Sequence, residues 1–256
     1  MSWSVHALPM LITVALWWGS TAVIARLIVG DPHRYPQLLR FASLLGVAGL
    51  VTLLALREVN TTASAIAALC AALAVWSWIE VTFLTGKVTG RTPRGASSQG
   101  MLGRASAALA AILWHELLIV ATIAIVAIAT LGGSNDLALL VLLLLWVMRT
   151  SAKLNLFLGV RNLGEGFLPP HLRHLLEFMQ QRRMNLLMPL SLLLGVLIAT
   201  YFGRVAFESG SPHEAASATI LSTLATLAVL EHLLMILPMP AETLWRWSLA
   251  GRRTPH

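Results

Sequence analysis

Residues 137–159 read LALLVLLLLWVMRTSAKLNLFLG. A helix that crosses about 30 Å of hydrocarbon needs about 20 mostly apolar residues, and this stretch supplies them. The run 139–145 contains no polar residue. It lacks the alternation of apolar and polar positions that a membrane β-strand requires. Six other stretches have the same character, at 5–29, 38–56, 63–86, 105–131, 184–207 and 215–237. The prediction is an all-α, polytopic integral membrane protein with about seven transmembrane helices. Residues 1–240 are expected to form a single transmembrane domain, followed by a short basic tail at 241–256.

Composition agrees. Of the 256 residues, 57% are hydrophobic and only 11% charged, with a mean hydropathy of +0.77. A soluble domain carries roughly a quarter charged residues, and a disordered chain needs low hydrophobicity. The one cysteine, Cys70, excludes an intramolecular disulfide and a Cys-rich zinc site. The first span lacks the basic start and small-residue cleavage signal of a secretory leader, so it is read as a helix that stays.

The net charge of +7 is a matter of topology. One set of connections and span ends holds Arg34, Arg40, Lys87, Arg91, Arg94, Arg104, Arg161, Arg173, Arg182 and Arg183, with Arg246, Arg252 and Arg253 in the tail. The other set holds Arg57 and Arg204. The positive-inside rule makes the first set cytoplasmic, with the amino terminus outside and the carboxyl terminus inside. No separate basic domain is left for nucleic acid, so the lipid bilayer is the expected surrounding and no soluble substrate is predicted.

Two inner loops stand out. The 87–104 loop begins within a TGKVTG sequence (85–90) whose spacing and helical context fail the phosphate-loop pattern, so it is expected to be a solvated loop facing anionic lipid. In 161–183, Pro169 and Pro170 can open a helix. Leu168, Leu172, Leu175, Leu176 and Met179 recur at helical spacing, so an interfacial amphipathic helix is expected near 168–183. His171 and His174 form an HxxH pair without a third ligand nearby.

Six ionisable residues fall within the spans: Glu80, Glu116, Glu231, Arg26, Arg149 and Lys153. Each costs about 2.5–3.5 kcal/mol at a helix centre. All six lie in the inner half, with Glu116 and Arg149 deepest at about 15–18 Å by helical rise. His115 precedes Glu116, and His232 follows Glu231. With Glu80 these pairs can supply ligands for one or two metal ions, although the ExxH spacing of helical carboxylate sites is absent. The other readings are an internally neutralised network that sets helix register, contact with a pigment or small ligand, and a proton or ion relay. Lys153 and Asn155 are polar where the fifth span should be ending. The candidate functional network is Glu80, His115, Glu116, Arg149, Lys153, Asn155, Glu231 and His232.

Trp17, Trp18, Trp114 and Trp146 fall near mid-span rather than in an interfacial belt. They are candidate contacts for a flat pigment such as a tetrapyrrole, or simply interhelical packing.

Seven stretches carry a resemblance: LWWGST (16–21), FLTGKVTG (83–90), WHE (114–116), LWVMRTSAKLNLFLGVRN (145–162), PPHLRHL (169–175), MNLLMPLSLLL (184–194) and VLEHLLMILPMP (229–240). The chain resembles photosynthetic complex assembly proteins of the PuhE type from purple phototrophic bacteria. Ile79 stands where that family often has histidine, and Arg91 where it often has proline. The resemblance implies a multi-span protein of the bacterial inner membrane, cytoplasmic or intracytoplasmic. It also implies assistance in building the reaction centre and core light-harvesting complex, with a link to bacteriochlorophyll supply. Its implied partners are reaction-centre or core antenna polypeptides or other assembly factors. The implied bound group is bacteriochlorophyll or a precursor, with a metal the lesser expectation. The alternative is a membrane-embedded metal-dependent enzyme or pigment carrier of tetrapyrrole metabolism that uses the Glu/His cluster.

Overall fold

The computed structural model describes residues 2–91 and 100–239. The seven helices are α1 (Leu8–Val29), α2 (Tyr35–Leu56), α3 (Thr62–Leu84), α4 (Met101–Thr130), α5 (Leu137–Leu158), α6 (Leu187–Glu208) and α7 (Pro212–Ile236). All seven are long and apolar enough to cross a membrane. Their ends fall within a few residues of the seven apolar stretches, because continuous hydrophobic length is the dominant signal in both. Among the described residues there is no β-strand beyond a single parallel bridge between Val160 and Gln181. The chain is an all-α polytopic membrane protein. The expected tail at 241–256 lies outside the described residues, as does Arg94.

Helices α3 and α7 are the most enclosed. The alanines of α3 give it a slim profile, and Ala65, Ala68, Ala71 and Ala72 are buried with Leu69, Val75 and Ile79 in the main core. Close approach of α2 depends on two glycines about one helical turn apart. A Cβ on Gly49 would stand 2.8 Å from the Ala71 carbonyl oxygen, and one on Gly46 would meet the Trp78 side chain at 3.0 Å. With any larger residue at these two positions the backbones could not pack at this distance.

At the end bearing the connections 57–61, 131–136 and 209–211, asparagine and histidine side chains latch the turns together. Asn135 Nδ2 donates to the carbonyls of Leu56 and Val59 at 3.2 and 3.1 Å. His213 Nδ1 lies 3.1 Å from the Thr61 carbonyl, and His6 stacks on Phe207 with ring centroids 5.0 Å apart.

The arginine-rich end is built differently. Helix α4 has 30 residues, about 45 Å at 1.5 Å per residue, which is longer than a bilayer core. Its first turns project past the neighbouring helices and are clasped by the connection between α5 and α6. The segment expected to form an interfacial helix near 168–183 is a 3₁₀ helix over Pro170–Phe178. Leu172, Leu175 and Phe178 recur every three residues and pack on Phe83, Ala107 and Ala111. A three-residue apolar period is met by 3.0 residues per turn, not 3.6. Its apolar side therefore faces the protein. The HxxH histidines are used locally: His171 Nε2 lies 3.0 Å from the Leu84 carbonyl at the end of α3, and His174 Nδ1 lies 3.0 Å from the His171 carbonyl. Gly86, at φ +76°, turns the chain beside that imidazole.

Candidate functional site

Helix α5 organises the intramembrane polar groups as two stripes. Arg149 and Lys153 are four residues apart, as are Ser151 and Asn155, so each pair stacks along one side of the helix. The stripes are offset by two residues, about 200° around the axis. The charged stripe meets α3 and α4, and the neutral one meets α6 and α7.

On the charged stripe, an Arg149 terminal N–H donates to Glu80 Oε2 at 3.2 Å. Lys153 Nζ donates to Glu116 Oε1 at 2.5 Å. Three helices are thus tied by two ion pairs. Glu80 is buried, and its second oxygen, Oε1, has no hydrogen-bond partner. Arg149 is different, since 46% of its side chain remains open. Glu231 and Glu116 also lie within electrostatic range of its guanidinium. Trp17 of α1 lies close enough to Glu231 to interact with its carboxyl, so α1 borders the same polar zone.

On the neutral stripe, the Ser151 hydroxyl lies 2.9 Å from that of Ser191 and 3.0 Å from His232 Nε2. His232 Nδ1 is 2.8 Å from the Ala228 carbonyl. A carbonyl can only accept, so Nδ1 carries the proton and Nε2 accepts from Ser151. The imidazole is oriented by main chain rather than by a carboxylate, so this serine–histidine pair lacks the third member of a catalytic triad. Asn155 Nδ2 donates to Ser191 Oγ and to the Ser151 carbonyl, at 2.9 and 3.0 Å. Asn185 completes the clamp. It donates to the carbonyls of Asn155 and Gly159 and accepts from the amides of Leu187 and Met188, the first two of α6.

The two Glu–His pairs do not converge. His115 is fully buried and tilted against Phe83, with centroids 4.4 Å apart and both ring nitrogens unpartnered. His232 faces the serines of the neutral clamp instead. Adjacent helical residues point about 100° apart, and here that angle assigns each histidine and its glutamate to different neighbours. Among the described residues, no three of His, Cys, Asp and Glu are grouped so as to hold a metal ion. The four tryptophans also occupy separate surroundings. Trp17 neighbours the Glu231 carboxyl, Trp18 is exposed on α1, and Trp146 packs on the main core. Trp114, 59% exposed, borders a cavity of about 550 Å³ against the 87–91 segment.

Sequence reasoning missed Ser151, Ser191, Asn185 and Asn162. The signal was present for the first two, since Ser191 is a lone hydroxyl in an apolar run and Ser151 is one helical turn from Asn155 in the polar stretch 149–155. Asn162 is visible only in three dimensions: its Nδ2 lies 2.7–2.8 Å from the carbonyls of Leu234, Leu237 and Met239, where α7 ends.

Fold and site together define a membrane protein with seven spanning helices among the described residues, in which α5 carries two ion pairs on one side and a neutral hydrogen-bonded clamp on the other. The chain belongs to the family described as "Protein of unknown function (DUF3623)", whose model matches residues 3–256. It is also 31% identical over 255 residues to the "Uncharacterized 30.4 kDa protein in puhA 5'region" of Rhodobacter capsulatus, covering 96% of this chain and 91% of that one. No solved structure matches.

Proposed function

We propose that the protein is an assembly factor of the PuhE type, acting on the photosynthetic reaction centre and core light-harvesting complex from within the bacterial inner membrane. The observation that carries this reading is Arg149. It is anchored to Glu80 by one N–H, yet nearly half its side chain is open at bilayer depth. An arginine in hydrocarbon is costly unless something covers it. A polypeptide arriving laterally in the membrane can do so, with the open guanidinium donors as its polar anchor. The relative encoded beside puhA supports the same pathway. The basic connections face the cytoplasm in this reading, and they form a second contact surface for the partner.

The test is complementation. The chain replaces its 31%-identical relative in Rhodobacter capsulatus, and reaction-centre and core antenna absorbance is recorded. The double substitution Glu80→Gln, Arg149→Gln, which leaves no buried charge without its partner, is expected to lower that absorbance several-fold while the protein's own membrane level stays near that of the unaltered chain. Full absorbance in cells carrying the double substitution would remove the anchor role. No rescue by the unaltered chain would remove the assembly role itself.

A further inference from the structure

The segment that follows α3 does not simply leave the membrane surface. After Gly86 it runs against the flank of α4, where the Arg91 amide donates to the Ala110 carbonyl and the Trp114 amide donates to the Thr89 carbonyl, both at 3.0 Å. Ala110 and Trp114 are one i,i+4 step of the helix, so the segment is bound to both ends of that step. Gly90 is required between them, because a Cβ there would collide with the Ala110 carbonyl. The amides of Lys87 and Val88 are held in turn by the Thr82 carbonyl, at 3.0 and 3.1 Å. The wall is therefore pinned at both ends.

Between this wall and α4 lies the cavity of about 550 Å³, within the range of small-ligand sites. Its two ends differ chemically. One is bordered by Lys87 and Arg91, neither paired with a carboxylate among the described residues. The other is a stripe of α4 made by Trp114, Leu117, Leu118 and Ala121, at i, i+3, i+4 and i+7. Leu117 is 47% exposed and Trp114 more so, so this stripe opens sideways. The residue count of α4 puts Ala110 near the level where the other helices end, so the cations sit at headgroup depth and the stripe at acyl depth.

We infer that this groove is a binding site for an anionic phospholipid of the adjoining leaflet. Its phosphate is held between Lys87 and Arg91, and an acyl chain lies along Trp114, Leu117 and Ala121. Two unpaired cations match one phosphodiester charge plus its neighbouring anionic surface, and the apolar stripe matches a hydrocarbon chain in direction and depth. A neutral flat ligand would leave both cations uncovered, and a soluble anion would leave the stripe uncovered. The site does not depend on Arg149 or on the proposed assembly role.

The experiment uses the full chain in nanodiscs of phosphatidylcholine doped with phosphatidylglycerol, followed by native mass spectrometry after gentle release. A photoactivatable phosphatidylglycerol maps the contact by labelled peptides. About a thirtyfold preference for phosphatidylglycerol over phosphatidylcholine is expected from two cations near a headgroup, with label in 87–91 and 114–121. The double substitution Lys87→Gln, Arg91→Gln is expected to bring the preference down to about threefold or less. Leu117→Ser, at a lipid-facing position that leaves the fold alone, is expected to reduce retention while both cations remain. Arg204→Gln, toward the opposite end of the molecule, is expected to leave both readings unchanged. Equal retention of the two lipids by the unaltered chain overturns the inference. So does an undiminished preference in the double variant, or label confined to other helices.

Discussion

Arg149 and Glu80 meet at 3.2 Å between α5 and α3, with the carboxylate buried and the guanidinium almost half open. The pair is therefore asymmetric. Its acid depends on the base for relief from burial, whereas nearly half of the base's side chain stays open. Removing the two partners should have unequal consequences.

Arg149→Leu leaves Glu80 buried without its counter-charge, and should cost about 3 kcal/mol, the low end of what breaking a buried pair costs. The double substitution Glu80→Gln, Arg149→Leu should recover at least half of that. Thermal unfolding in a mild detergent measures both. Equal stability of Arg149→Leu and the unaltered chain contradicts the pairing.

The Lys153–Glu116 contact predicts a recoverable charge swap. Glu116→Lys alone places two ammonium groups together at bilayer depth and should sharply lower the folded yield. Adding Lys153→Glu restores opposite charge across the same α4–α5 gap. Size-exclusion profiles of the three variants should show loss, then recovery to near the original monodisperse fraction.

His115 offers a separation of stability from function. Its ring is fully enclosed and neither nitrogen has a partner. Replacing an unsatisfied polar group by an apolar one of similar shape is close to neutral, within about 1 kcal/mol. His115→Phe should keep its unfolding temperature but lose assembly activity if the imidazole serves the proposed function. Retained activity in the phototrophic complementation assay assigns His115 to packing alone.

Asn185 should be the most sensitive neutral position. Alanine there removes the acceptor for two amides of α6 and leaves the Asn155 and Gly159 carbonyls without that donor. A loss of about 2–3 kcal/mol follows from a missing cap plus uncompensated buried carbonyls. Asn185→Asp keeps the acceptor and should fall between. Chemical denaturation in mixed micelles ranks the three.

Helix spacing gives a final contrast. Gly49→Val forces side-chain atoms onto the Ala71 carbonyl, and should destabilise by about 1–3 kcal/mol through overpacking. A methyl group added at Gly19 would meet no atom within 4 Å, so Gly19→Ala should be neutral or slightly stabilising. Parallel melting curves decide whether the difference has this sign.

The seven helices were legible because hydrophobic length at about 1.5 Å per residue is a one-dimensional property, read directly from runs such as 139–145. Position along each span is counted in the same way, and from it comes the expectation that Arg26, Glu80, Glu116, Arg149, Lys153 and Glu231 share one half of the bilayer. Rotation and neighbour identity were not legible. Side-chain partners depend on which helices adjoin, and that is set by small residues such as Gly46 and Gly49 and by the α3 alanines. Only the tertiary structure decided that α5 carries two stripes, that Arg149 meets Glu80 while Lys153 meets Glu116, and that His115 and His232 face different neighbours. The 3₁₀ segment at Pro170–Phe178 follows the same division. Its amphipathic pattern was visible in the sequence, but its period and its docking on Ala107 and Ala111 depend on α4 projecting far enough to be clasped. Length and charge are properties of the chain, whereas pairing is a property of the packed surfaces.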